Sequence, residues 1–76
     1  MKVNVLFFGR LAEIAGANSV VQEAETSDVL QQQLHIKYPA LSKEKYMMAV
    51  DKRVIKENAV LTDNCTIALM PPFSGG

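Results

Sequence analysis

Thr66-Ile67-Ala68-Leu69-Met70-Pro71-Pro72-Phe73-Ser74-Gly75-Gly76 closes the chain, and its two halves obey opposite rules. The first five residues are an apolar run behind the turn-forming Thr62-Asp63-Asn64, which predicts a final strand, with Asn64 suited to a left-handed conformation. The prolines then end that strand, because neither has an N–H for a ladder and each fixes φ near −65°. Residues 71–76 form an expected extended tail on a domain spanning residues 1–70. At about 3.3–3.6 Å per residue the tail reaches about 20 Å. Its Gly75-Gly76 tip lets backbone pass where any Cβ would clash, so the Gly76 carboxylate can enter a narrow channel in a partner. The competing reading is an ordinary frayed end. A double proline, the single large apolar Phe73, Ser74 and a Gly-Gly close favour the functional one. Phe73 either folds back on the sheet edge or anchors in a partner's pocket, and aromatic anchors dominate interface energies.

A chain of 76 residues makes one small domain, too thin to wall off both a core and an enclosed active site. The chemistry is therefore expected in a partner. Eight Lys and Arg balance eight Asp and Glu, so no long-range field draws the chain to nucleic acid or an anionic membrane. No apolar run has membrane-spanning length, and the single cysteine, Cys65, supplies no disulfide framework. A cytoplasmic location is the expectation.

The rest of the chain supplies the body. Residues 2–8, Lys2-Val3-Asn4-Val5-Leu6-Phe7-Phe8, alternate and then become solidly apolar, which predicts a central strand buried on both faces toward its end. Leu11, Ile14 and Ala15 have helical spacing before Gly16 stops a short helix, and residues 19–24 form a second strand. Thr26-Ser27-Asp28 offers three N-caps, with Asp28 and Gln31 at capping-box spacing. A helix follows, with Leu30, Leu34 and Tyr38 in one apolar stripe beside Val29, and with Gln31, Gln32 and His35 facing water until Pro39. Residues 40–45 read as a polar link. Tyr46 to Val50 is a strand, Asp51-Lys52 its hairpin turn, Arg53-Val54-Ile55 the return, and Val60-Leu61 a brief apolar patch. One main helix, one short helix and a mixed sheet of four to five strands make an α+β two-layer domain. With the first and last strands parallel at the centre, this is the β-grasp arrangement.

The remaining candidates for chemistry read as structural. Cys65 has no residue nearby arranged to activate it as a nucleophile and reads as a buried thiol. His35 has no partner at metal-ligand spacing, and Gly9-Arg10 lacks the other glycines of a phosphate loop. Lys43, Lys45, Lys52, Arg53 and Lys56 read as a solvated face able to steer an acidic partner.

Over its whole length the chain resembles the molybdopterin synthase small subunit, a ubiquitin-like family of sulfur carriers. The resemblance rests on Met1 to Phe8, the Leu11-to-Gly16 turn, Ala49-Val50-Asp51, Leu61-Thr62-Asp63-Asn64 and the Pro71-to-Gly76 close. Met70 stands where the family usually has an aromatic, Phe73 where valine is common, Asp51 for a frequent Asn and Asn64 for a frequent Gly. The resemblance implies a ubiquitin-like β-grasp fold with a flexible C-terminal tail. It also implies that the Gly76 carboxylate is adenylated by an E1-like enzyme using ATP, becomes a thiocarboxylate, and gives its sulfur to a cyclic pyranopterin monophosphate. No stably bound cofactor is implied for this chain, which is non-catalytic alone. The implied partners are that enzyme and the synthase large subunit, in a heterotetramer, with Pro71, Pro72, Phe73, Ser74 and Gly75 as partner-binding residues. A thiazole-pathway sulfur carrier shares the fold and the Gly-Gly end but generally lacks the Pro-Pro signature and the Leu11-to-Gly16 insertion. A lysine-conjugating modifier, and a binding module acting through its sheet face, are further readings.

Overall fold

A computed structural model of the chain describes residues 1–72; Phe73, Ser74, Gly75 and Gly76 lie outside the described residues. The order is β1 (Lys2–Phe7), α1 (Arg10–Ala15), β2 (Ser19–Glu23), α2 (Ser27–Lys37), a 3₁₀ turn (Pro39–Lys43), β3 (Met47–Val50), β4 (Arg53–Ile55) and β5 (Thr66–Met70). Within the described residues the strands form one sheet in the order β2-β1-β5-β3-β4. β1 and β5 are parallel neighbours at its centre, in register from Asn4 opposite Thr66 to Phe7 opposite Leu69. The other pairings are antiparallel, as the β-grasp reading requires.

Alternation along the strands sends Val3, Val5, Phe7, Met48, Ile67 and Leu69 to one face, where they are buried against Leu30 and Leu34 of α2, Leu11 of α1, and Leu61. Each fully buried leucine is worth about 1.5–3 kcal/mol over its exposed state. The polar link expected over residues 40–45 is instead the 3₁₀ turn with the fully buried Leu41 at its centre. Pro39 at the head of the segment and the polar residues after Leu41 hid it from a reading of periodicity. The stripe on α2 also differs from expectation. Leu30 and Leu34 are buried, but Tyr38 is the C-cap, half-buried with its ring edge-on to Phe7 at 5.7 Å, and Val29 is 40% exposed.

The cap of α2 is Thr26, whose side chain accepts from the Val29 N–H at 3.3 Å, and not Asp28. The loop before β5 decides this. Asn58 Oδ1 accepts the Asp28 N–H at 2.9 Å, while buried Ser27 Oγ accepts the Ala59 N–H at 2.8 Å, so Ser27 and Asp28 are held inside the helix. The same loop separates the Val60-Leu61 pair, with Val60 81% exposed and Leu61 buried. Gly16 closes α1 at φ 70°, a left-handed cap. Asn64 takes φ 64°, as its turn required.

His35 does not face water. It is half-buried, and its ring meets Tyr46 edge-on. Gln31 Nε2 donates to Tyr46 Oη at 3.0 Å, and the same hydroxyl shares a hydrogen bond of 2.6 Å with His35 Nε2. Tyr46 therefore ties α2 to the start of β3 from just outside the strand, which begins at Met47. Burial pushes its phenol above the ordinary value of 10.0, with the Gln31 bond pulling weakly the other way.

Three changes test this packing. Leu41→Ala should cost about 2–5 kcal/mol in urea unfolding, a large part of the about 4–11 kcal/mol available to a chain of this size. Val60→Ala should change stability by less than about 0.5 kcal/mol. Tyr46→Phe should cost about 0.5–1.5 kcal/mol at neutral pH. Because the folded-state pKa is raised, the tyrosine's contribution is fully present below the unfolded value of 10.0 and is lost as pH rises through the folded one. The gap between wild type and variant should therefore narrow on the alkaline side, and a gap constant with pH would contradict the burial of the phenol.

Candidate functional site: the tail root and the uncovered sheet face

β5 ends at Met70 and hands the chain to Pro71, which is half-buried, and Pro72, which is exposed. Pro71 leaves beside the β1–α1 junction. Gly9 there has φ 57°, and a Cβ on it would lie 3.2 Å from Pro71 Cγ, so a bare backbone makes room for the proline. The Phe8 N–H donates to the Leu69 carbonyl at 3.1 Å, extending the parallel ladder one residue past β1 and fixing Phe8 next to the exit.

The second face of the sheet carries no helix, which corrects the expectation that the central strands are buried on both sides. The registers place Leu6 beside Ala68, Met70 beside Met47, Ala68 beside Ala49 and Ala49 beside Val54 on this outer face. With Phe8 they line one continuous apolar depression, in which Phe8 is 45% and Val54 51% exposed. The other end of the same face is polar, with Lys2 opposite Glu23, and Asn4 opposite both Val21 and Thr66. The continuous apolar part thus runs from mid-sheet to the Met70 end, with exposed Val21 standing apart from it. An apolar patch of this kind marks an interaction surface. Its signal was already in the sequence, since a strand buried by its own chain and one kept for a partner give the same unbroken apolar run.

Of the site residues read from the sequence, Pro71 and Pro72 stand at the tail root, while Phe73, Ser74, Gly75 and Gly76 fall outside the described residues. Cys65 is buried. Among the described residues no group of three His, Cys, Asp or Glu side chains is placed to hold a metal ion, and no helix is long and apolar enough to cross a membrane. Lys52, Arg53 and Lys56 share the β3–β4 hairpin and its exit, whereas Lys43 ends the 3₁₀ turn and Lys45 follows it. Arg10 bonds Glu44 at 3.1 Å, the one ion pair among the described residues, and at that exposure it is worth at most about 1 kcal/mol.

Comparison with known proteins gives this geometry a family. The model of the ThiS family matches residues 5–76. The molybdopterin synthase sulfur carrier subunit of Chlamydomonas reinhardtii is 31% identical over 84 aligned positions, covering 100% of both chains. Among solved structures, small archaeal modifier protein 1 from Methanosarcina acetivorans superposes with a TM-score of 0.85 at 25% identity, over 99% of this chain and 96% of its own. The complex of subunits 1 and 2 of the molybdopterin-converting factor from Helicobacter pylori contains a chain matching with a TM-score of 0.77 at 26% identity, over 100% of both. The chain therefore belongs to the ThiS family, as a sulfur carrier of the molybdopterin synthase small-subunit type.

Proposed function

We propose that the chain is the sulfur-donating subunit of a molybdopterin synthase, a domain of residues 1–70 that docks through its uncovered sheet face and delivers the tail of residues 71–76 into partner active sites. The observation that carries this reading is the coincidence of the apolar end of the outer face with the tail root, in a chain whose family match runs through Gly76. Docking places the tail at high effective concentration in the partner's channel, so sulfur transfer proceeds as an effectively intramolecular step.

The chemistry follows from what a carboxylate lacks. It is a poor electrophile, so an E1-like partner first lets the Gly76 carboxylate displace pyrophosphate from ATP. The resulting acyl-adenylate accepts the terminal sulfur of a persulfide, and AMP leaves. A second thiolate then cleaves the acyl disulfide, forming a protein disulfide and releasing the thiocarboxylate. In the large subunit that sulfur attacks the cyclic pyranopterin monophosphate, displacing an oxygen from the pterin side chain; water then hydrolyses the resulting thioester and returns the Gly76 carboxylate, so two carriers supply the dithiolene of one molybdopterin. ATP belongs to the adenylating partner, and this chain holds no cofactor of its own. Two carriers at the ends of a central pair of large subunits make a heterotetramer that works in the cytoplasm.

The likeness to small archaeal modifier protein 1 supports a second reading, in which the activated tail is conjugated to lysines. Weighing the protein isolated from its own cells separates the two. The carrier reading expects a terminus heavier by the difference between one sulfur and one oxygen; isopeptide-linked conjugates without a thiocarboxylate would refute it. Deleting Gly76 should abolish sulfur transfer and leave the unfolding transition unchanged, and full activity in that variant would remove the tail mechanism. Because one face and one tail serve both partners, the adenylating enzyme and the large subunit should compete for the carrier. A stable ternary complex with one copy of each would contradict shared docking.

A further inference from the structure

The apolar depression on the outer face is bounded by the β3–β4 hairpin loop, whose backbone is strained. Val50 pairs with Arg53, so Asp51 and Lys52 are a two-residue loop, and both have positive φ, 46° and 74°. Such a turn matches the twist of the strands but favours glycine at its second position, because a side chain there crowds the backbone. Asp51 is compensated. Its N–H donates to the Thr66 carbonyl at 2.8 Å, and its Oδ1 accepts the Thr66 N–H at 2.9 Å.

Lys52 is not compensated in this way. Among the described residues no side-chain hydrogen bond or ion pair engages it, and it is exposed. It lines the depression together with Phe8, Val54 and Met70. Asp51 on the same rim is engaged with Thr66, Arg53 lies on the opposite face beside Val50, and Glu23 sits across the sheet on the other edge strand, opposite Lys2. The Lys52 ammonium is therefore the unmatched charge on the rim of the depression, at the Thr66 end of β5. A side chain that the fold strains to carry, and does not itself use, points outward to function. Its methylene stem can extend the apolar rim while the ammonium stays in water.

We propose that Lys52 is a specificity-determining contact, and that it receives a carboxylate from the partner surface covering Phe8, Val54 and Met70. The proposal rests on the carrier reading, which makes that partner the synthase large subunit: a protein surface apolar at its centre with an acidic rim. A rim charge acts mainly on the association rate and its salt dependence. Lys52 thus lowers the stability of the free carrier while speeding partner capture.

The test uses the full chain and its large subunit, with association followed by stopped-flow fluorescence at low and high salt and unfolding followed by heating. Lys52→Gly, which makes the favoured Asp-Gly turn, should raise Tm by about 4–8 °C if it relieves about 1 kcal/mol of strain. The same variant should slow association about two- to fivefold at low salt, the size of a single exposed pair. Lys52→Glu should slow it further, and the differences should shrink at high salt. Wild-type association with unaltered rates in both variants would overturn this proposal and leave the carrier reading standing. A wild-type chain that does not bind the large subunit at any salt would overturn both.

Discussion

The parallel pairing of β1 with β5 is the constraint on which everything else depends. It joins the two ends of the described chain at the centre of the sheet, so every intervening residue must cross over and return. Both ends of the pairing are pinned. At its start the Lys2 N–H donates to Asp63 Oδ1 at 3.0 Å, the Asn64 N–H to the Lys2 carbonyl at 2.7 Å, and the Asn4 N–H to the Cys65 carbonyl at 2.9 Å. At its finish the Phe8 N–H holds the Leu69 carbonyl. A one-residue slip would turn Ile67 and Leu69 out of the core and send Ala68 and Met70 in. The register that builds the core is thus the same register that sets Phe8 beside the tail root.

From that pairing follows the one-sided build of the domain. α2, α1 and the 3₁₀ turn all contribute core leucines to the buried face, and the chain has no further helix for the other face among the described residues. A bare apolar sheet invites association, and here the exposure is contained. Lys2, Asn4 and Glu23 make one end polar, and the edge strands are short, with three residues in β4 and five in β2. The continuous apolar patch that remains reaches the exit of the tail.

The architecture was legible because its determinants are local and repeated: alternating Val3 and Val5, the Leu30–Leu34 spacing, the Asp51-Lys52 turn and the proline stop at Pro71. What stayed illegible depended on contacts between distant segments. Thr26, Ser27 and Asp28 are equivalent as caps until Asn58 and Ala59 engage Ser27 and Asp28. His35 looks like a wet-face residue until Tyr46 arrives from the β3 side. Leu41 continues the spacing of Leu34 and Tyr38 but lies beyond Pro39, which reads as the end of the helix, so only the tertiary fold reveals it as core. The outer face was misread for another reason. Sequence reports that Leu6, Phe8, Ala68 and Met70 avoid water, but not whether the cover comes from the same chain.

The position of Pro71 at the end of β5 also bears on the proposed delivery of the C-terminus. Any force on a tail inserted as proposed would be borne first by β5, a central strand paired on both sides, with β1 along one edge and β3 along the other. Its Ile67 and Leu69 are fully buried, so fraying the root would expose core leucine and isoleucine as well as break two ladders. Had the tail grown from β4 or β2, the partner's grip could be dissipated by peeling an edge strand that has one neighbour. On the proposed reading, an exit from a strand with two neighbours would let interactions made by the tail inside a partner act on the docked domain as a whole. The apolar patch beside the root adds its contacts to the same rigid unit.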